Sequence, residues 1–327
     1  MAQGIRDIQY YVPVARLRNE ELISEFGFEE SFLKDKLGIE ERAICAPSEA
    51  CSDLAFMACR KVLDKSALNV KEVGLLILCT QNPDYKLPAT SHIVQDRLGL
   101  PSGCAAFDLN LGCSGFVYGL GIAKAFMEAH RIPHALLVTS DPYSKIIDRK
   151  DRVTRPLFGD AAAATLLSEG ASCRILESTF GSDGSGARHL MVAGGGTRHP
   201  HSGSPETAQE PSPHLFMDGR EIFNFMMRRV PEDVSLCLRK NGLVLGDIDY
   251  FVFHQASKYM LDSLVKRMGL DPAKVVYRLK DVGNTVSSSI PIALSPFFGE
   301  KKLTGKKVLL SGFGVGLSWA STVLNFE

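Results

Sequence analysis

Short apolar runs with β character alternate with longer runs whose apolar positions recur at helical spacing. EVGLLILCTQ (72–81) is followed by SHIVQDRLG (91–99), CAAFDLN (104–110), GFVYGLGIAKAFMEAH (115–130) and HALLVTSD (134–141). This alternation predicts an α/β architecture with a partly parallel sheet covered on both faces. A polar stretch rich in Gly, Pro and Ser, residues 181–214, interrupts the pattern and predicts a long surface excursion.

The pattern then restarts with echoes of the first half. KEVGLLILCTQ is echoed by GDIDYFVFHQA, and HALLVTSD followed by AAAATLL is echoed by KVLLSGFG followed by SWASTVL. An internal duplication accounts for this. It divides the chain into a front half (1–170), a connecting strand and excursion (171–214) and a rear half (215–327). Two packed βαβ halves bring equivalent strand ends to a shared middle, so chemistry is sought at the strand-to-helix turns.

Composition narrows the function. Among 327 residues, 37 Lys plus Arg balance 37 Asp plus Glu, so no global field draws the protein to nucleic acid or an anionic membrane. The apolar runs are far shorter than the ~20 residues of a membrane helix, and the N-terminal stretch lacks a signal-peptide build. A cytoplasmic location is expected. Eight cysteines without a C-x-x-C pair predict reduced thiols rather than a disulfide framework or zinc ribbon. His199, His201 and His214 lie in a Gly/Pro/Ser-rich setting without rigid ligand geometry, so no metal is expected.

One cysteine stands apart. In DLNLGCSGFVYGL (108–120), Cys113 falls between a strand-like run and a helix whose apolar face is Phe116, Val117, Leu120, Ala123, Phe126 and Met127. A helix N-terminus favours negative charge, which predicts a thiol biased towards thiolate. Gly112 and Gly115 are expected to permit the bend and leave room for an acyl group. A serine elbow is excluded, because Phe116 stands where that motif needs glycine. At the equivalent point of the rear half, FVFHQAS delivers His254 to a strand end; it is either a catalytic group or a structural histidine. Asn284 lies in the turn GNTVSSS, where Asn is also ordinary turn chemistry. LLSGFGVGLSW contains a glycine-flanked turn able to aim a bare amide at an oxyanion, or merely to punctuate a strand.

Cys113 in NLGCSGF, His254 in HQA, Asn284 in GNT and the terminal GFGVGLSW together resemble the β-ketoacyl-acyl carrier protein synthase III family, of thiolase fold. LGIEER, NPDYKLP, FGDAAAA and FMDGREIF have counterparts in the same order, so the resemblance runs nearly the whole chain. It implies a five-layered αβαβα fold of two duplicated halves, a homodimer, no cofactor, and an acyl-Cys113 intermediate formed from acyl-CoA. Decarboxylation of malonyl-acyl carrier protein then yields an enolate that attacks the acyl group. His254 and Asn284 would stabilise the enolate, and the amides of Cys113 and Val315 the tetrahedral intermediate; the family usually has glycine at the latter position.

The same resemblance assigns CoA binding to Phe32, Lys36 and Arg152, with adenine between an aromatic face and the Arg152 guanidinium; many members carry Trp and Arg at the first two. It assigns the acyl pocket to Leu87 (across a dimer interface), Phe158, Gly219, Phe223 and Phe313. An acidic carrier protein would dock on Lys266 and Arg267, with Arg228, Arg229 and Lys258 as neighbours; two further basic positions of the family are Asn224 and Tyr259 here. Two rivals remain: transfer of the acyl group to an alcohol or amine, and a non-catalytic acyl-carrier-binding partner. Retention of Asn284 argues against the first, and the intact nucleophile against the second.

Overall fold

The computed structural model describes residues 3–200, 211–299 and 303–327. The front half opens with β1 (Gln3–Tyr11) and a hairpin of β2 (Ala15–Arg18) and β3 (Glu41–Ile44) that flanks α1 (Asn19–Phe26). It continues through α2 (Cys51–Ser66), β4 (Val73–Cys79), α3 (Thr90–Arg97), β5 (Ala105–Leu109), α4 (Gly115–His130), β6 (His134–Asp141) and β7 (Ala161–Glu169). Short strands β8 (Cys173–Ile175) and β9 (Thr179–Ser182) follow, then a two-residue ladder of β10 (Leu190–Met191) with β11 (Phe216–Met217). The rear half is α5 (Gly219–Lys240), β12 (Tyr250–Phe253), α6 (Lys258–Met268), α7 (Ser289–Leu294), β13 (Lys307–Gly314) and β14 (Ser318–Phe326).

Strand pairing makes the duplication explicit. β4 runs parallel to β6, which is antiparallel to β7; β12 runs parallel to β13, which is antiparallel to β14. The front half also pairs β5 with β4 along five residues, whereas the rear half keeps only a single bridge, Phe251 to Val275, at that position. β8 pairs with both β1 and β14, so the two sheets join into one of ten strands.

Side-chain alternation sorts the apolar residues into layers, because neighbouring strand residues face opposite sides. Leu76 and Leu78 face outward onto Leu54, Ala58 and Val62 of α2 and Val94 of α3. Leu75 and Ile77 face inward onto Phe116, Val117 and Leu120 of α4, a central layer that also takes Val252, Val308 and Leu310 from the rear sheet and Ile290 of α7. Phe251, Phe253 and Leu309 face the other way, onto Met226 and Val230 of α5 and Leu261 of α6. The order is therefore helix, sheet, helix, sheet, helix. Both faces of each sheet are covered, which is why strands such as VGLLILC read as continuous apolar runs rather than alternating ones.

Candidate active site

The C-terminal ends of β5, β12 and β13 point to the middle of the molecule. β5 ends at Leu109, and the chain turns through Leu111–Ser114 into α4, placing Cys113 one residue before the cap position Ser114. β12 ends at Phe253, and His254 follows with its N–H on the Ser311 carbonyl of β13 (2.9 Å). Asn284 arrives from the loop before α7 and is held by its backbone: its N–H donates to Leu157 O (2.9 Å), and its carbonyl accepts from Gly159 N–H (3.0 Å). The FGD motif is thus the clasp for the Asn284 turn. Gly159 is required there, because a Cβ would lie 2.0 Å from the Val282 carbonyl.

The end of β13 touches both Cys113 and His254. A Cβ on Gly314 would be 3.0 Å from Cys113 Cβ and Sγ, and the Phe313 ring meets the His254 ring edge-on with centroids 5.6 Å apart. Gly312 lies against the Cys113 carbonyl. A hydroxyl pair, Ser114 Oγ and Ser318 Oγ at 2.7 Å, joins the Cys113 turn to the Val315 turn, whose carbonyl accepts from Ser318 Oγ at 2.7 Å. The Val315 side chain reaches the Gly112 position, where a Cβ would be 2.9 Å from Val315 Cγ1. Neither Gly112 nor Gly115 has a left-handed φ. The expected role in bending is therefore replaced by close approach: Gly115 leaves space for Cys79 Sγ and Gly112 for Gln81.

All three candidate residues are buried, with Cys113 6 % exposed and His254 and Asn284 3 % each. Burial pushes His254 down to about 3, so the ring is neutral; the Val286 carbonyl, which favours the charged ring, offsets this only in part. Ser289 Oγ lies 2.7 Å from His254 Nδ1 and accepts the Gln255 N–H at 3.4 Å. Asn284 Oδ1 accepts the Val286 N–H (3.0 Å) and Nδ2 donates to Ala256 O (3.3 Å), leaving one amide hydrogen uncommitted among these contacts. Val286 holds φ +53°, an unusual region for a β-branched residue, at the turn that aims this amide.

The expected bias of Cys113 towards thiolate is reversed in the resting site. Burial is the largest cause and the Asp141 carboxylate the next, and together they hold the thiol well above its ordinary value; only its own backbone amide acts the other way. Asp141 ends β6, fully buried, and is itself raised to about 6 by burial. It accepts from Gln81 N–H (2.8 Å), Ser287 N–H (3.3 Å), and the Ser287 hydroxyl. Gln81 Oε1 in turn accepts from Tyr143 Oη at 2.6 Å.

Sequence reading missed this second ring of residues: Ser114, Asp141, Ser287, Ser289 and Ser318. Each polar side chain is unremarkable in its own segment: Ser114 meets Ser318 and Asp141 meets Ser287 across the two halves, while Ser289 meets His254 from 35 residues away within the rear half.

The other expected residues separate into groups. Phe158 and Phe313 are buried in the same cluster as Cys113, and Phe223 packs at its margin while stacking on Tyr259 with centroids 5.6 Å apart. Gly219 is exposed at the start of α5, and Leu87 is 82 % exposed. Lys266 and Arg267 are exposed in the last turn of α6, and Arg228 and Asn224 are exposed on α5. Lys258 is committed to Asp262 (2.6 Å), and Arg229 to Glu232 (3.2 Å) and to the Trp319 ring face (5.4 Å). The slot expected between Phe32 and Arg152 is not open. The Phe28 ring stacks on Phe32 with centroids 5.4 Å apart, and the Arg152 guanidinium lies 4.9 Å from the Phe28 centroid. Lys36 lines a recess of about 490 Å3 beside these rings.

Among the described residues no three His, Cys, Asp or Glu side chains gather as a metal site; His201 lies outside the described residues. None of the described helices is long and apolar enough to cross a membrane.

Comparison with known proteins finds relatives along the whole chain. A family model described as 3-oxoacyl-[acyl-carrier-protein (ACP)] synthase III matches residues 107–184, and its C-terminal counterpart matches residues 238–326. The chain is 38 % identical to the β-ketoacyl-[acyl-carrier-protein] synthase III of Symbiobacterium thermophilum, covering 99 % of this chain and 98 % of that protein. A solved 3-oxoacyl-(acyl-carrier-protein) synthase III superposes with a TM-score of 0.93 at 38 % identity, covering all of both chains. The priming β-ketosynthase of the R1128 polyketide biosynthetic pathway superposes with a TM-score of 0.90 at 28 % identity, covering 99 % of this chain and 96 % of that one.

Proposed function

This chain belongs to the 3-oxoacyl-[acyl-carrier-protein] synthase III family of acyltransferase-class condensing enzymes, and on that premise we propose that it joins an acyl-CoA starter to malonyl-acyl carrier protein, releasing carbon dioxide. Residues 1–170 supply the nucleophile, residues 215–327 supply the hydrogen-bond donors, and residues 171–214 connect them. The working form is a cytoplasmic homodimer.

The first half-reaction acylates the enzyme. Cys113 sulfur attacks the thioester carbonyl, its proton is transferred to the departing CoA sulfur, and the carbon–sulfur bond to CoA breaks. The oxyanion that forms in between meets the N–H groups of Cys113 and Val315, where only an amide is needed and the valine side chain points elsewhere, onto Gly112.

The second half-reaction generates and uses a carbanion. The malonyl C–C bond breaks, carbon dioxide leaves, and the electron pair stays behind as an enolate on the thioester. A neutral imidazole and a neutral carboxamide suit this charge, because each donates a hydrogen bond without surrendering a proton to the enolate. Ser289 turns its hydroxyl hydrogen to His254 Nδ1, which leaves the ring proton on Nε2 to face the enolate oxygen together with Asn284 Nδ2–H. The enolate carbon attacks the acyl-Cys113 carbonyl, the Cys113 C–S bond breaks, and the departing sulfur takes up a proton from solvent, which restores the resting thiol.

The observation that carries this reading is the contact of one β13 turn with both Cys113 (Gly314) and His254 (Phe313). Phe158 and Phe313 form pocket walls, and Phe223 and Gly219 lie towards its rim. Leu87 would close the pocket of a second copy. An acidic carrier meets Lys266, Arg267 and Arg228; Arg229 and Lys258 contribute less, since their charges are already paired.

Intact-mass analysis of Cys113 after incubation with an acyl-CoA panel, combined with measurement of carbon dioxide release, tests the proposal. An adduct on the parent protein and none on Cys113→Ala, with release dependent on acylation, is expected. An ester or amide product, or condensation by Cys113→Ala at the parent rate, would refute it.

A further inference from the structure

Phe28 lies just after the left-handed Gly27 that ends α1, and it is half-buried. Its ring engages both groups assigned to grip a purine: Phe32, stacked with an interplanar angle of 21°, and Arg152, whose guanidinium sits over the ring. Arg152 is further fixed by donation from Nη1 to the Phe26 carbonyl (2.6 Å) and by the Phe26 ring at 5.7 Å. The faces that Phe32 and Arg152 turn to Phe28 are taken up by its ring. The adjoining recess places Glu29 and Asp35 beside Lys36. Arg155, the next cation, is paired with Glu25 at 2.6 Å. A nucleotide bearing several phosphates finds an aromatic stack already filled and a rim that carries carboxylates.

We propose that Phe28 is a specificity-determining residue that stands in for the purine of a coenzyme-linked donor, so that donor selection rests on the pantetheine arm and acyl chain rather than on the nucleotide. The proposal depends on the reading above that Cys113 is acylated by a thioester entering past Phe32, Lys36 and Arg152. A free base–aromatic stack is normally worth about 10- to 100-fold in affinity. Here a bound purine gains that stack only by expelling Phe28 from an equivalent one. The tethered ring binds without association entropy, so the exchange of ring for ring yields little net affinity.

The test compares acylation of Cys113 by an acyl-CoA and by the acyl-pantetheine of the same chain, each as kcat/KM from thiol release. The ratio of the two is expected to lie within about fivefold in the parent protein, since the withheld stack would otherwise contribute tenfold or more. In Phe28→Ala the ratio should rise in favour of acyl-CoA by about tenfold or more, as a vacated stack becomes available to the purine. A parent preference for acyl-CoA of more than about fivefold, or a ratio in Phe28→Ala that rises by less than about tenfold, overturns the inference while leaving the condensing reaction intact. Failure of both donors to acylate Cys113 overturns the proposed function, and the inference with it.

Discussion

Ser289→Ala isolates the contribution of a single hydroxyl to the ring that the proposed mechanism sets against the enolate. Ser289 Oγ stands 2.7 Å from His254 Nδ1, and both residues are buried, so water cannot replace the lost partner without entering a closed site. Leaving a buried ring nitrogen unmet costs about 1–3 kcal/mol. The molecule can recover part of this by turning the ring or shifting its proton to Nδ1, and either response takes the Nε2–H away from the enolate. Complete loss of one oxyanion donor typically slows catalysis by about 100- to 1000-fold. Partial loss of alignment at about 1.4–2.8 kcal/mol corresponds to a decrease of roughly 10- to 100-fold. The cost should fall on one half-reaction only, because the proposed mechanism gives acylation to the amides of Cys113 and Val315 rather than to His254. Rapid-quench mass analysis of acyl-Cys113 should therefore show acylation within about threefold of the parent, while carbon dioxide release slows by about 10-fold or more. Equal slowing of both steps, or carbon dioxide release within about twofold of the parent, would refute the orienting role of Ser289.

Acid stability should expose two buried groups that act in opposition. His254, lowered from 6.5 to about 3, contributes stability that is complete above pH 6.5 and is lost as pH falls towards 3. Asp141, raised from 3.8 to about 6, contributes stability that is complete below pH 3.8 and is lost as pH rises towards 6. Removing the second in Asp141→Asn should steepen the loss on acidification between about pH 6 and 4, by up to roughly 1.4 kcal/mol per pH unit relative to the parent; parallel urea-unfolding curves would contradict this. Alkylation of Cys113 by iodoacetamide should keep accelerating above pH 8, since burial and Asp141 raise the thiol, and should be faster in Asp141→Asn. A plateau near neutrality would show that the helix N-terminus prevails instead. Gly314→Ala puts a methyl group 3.0 Å from Cys113 Cβ and Sγ; acylation should fall by about 100-fold from displacement of the nucleophile, against an overpacking cost of about 1–3 kcal/mol in unfolding. Parent-like acylation would show that the sulfur does not work where it now rests.

Secondary structure and duplication were legible because they depend on local periodicity. VGLLILC, HALLVTS and the helix from Gly115 lie where the apolar pattern predicts them, and Cys113 stands at the predicted strand-to-helix turn. The thiol's direction of shift was not legible. A helix terminus can be read from its own residues, but the burial of Cys113 depends on Gly312 and Gly314 from a strand about 200 residues away, and on Asp141 from a third element. Ser287, Ser288 and Ser289 look alike in GNTVSSSIP, yet they reach Asp141, Thr139 and His254 respectively. Phe28 was missed for a related reason: a single aromatic after a glycine has no periodic signature, and its meaning comes from the two residues it contacts.

The three residues of β8 have a mechanical consequence. They are threaded between the first strand and the last, with Arg174 facing Gly4 on one side and Asn325 on the other, and Gly4 is so close that a Cβ would sit 2.5 Å from the Cys173 carbonyl. A molecule sewn along such a seam cannot gape like a clam to admit its substrates, because parting would tear backbone ladders on both flanks. Whatever reaches Cys113 must do so with the two halves still joined.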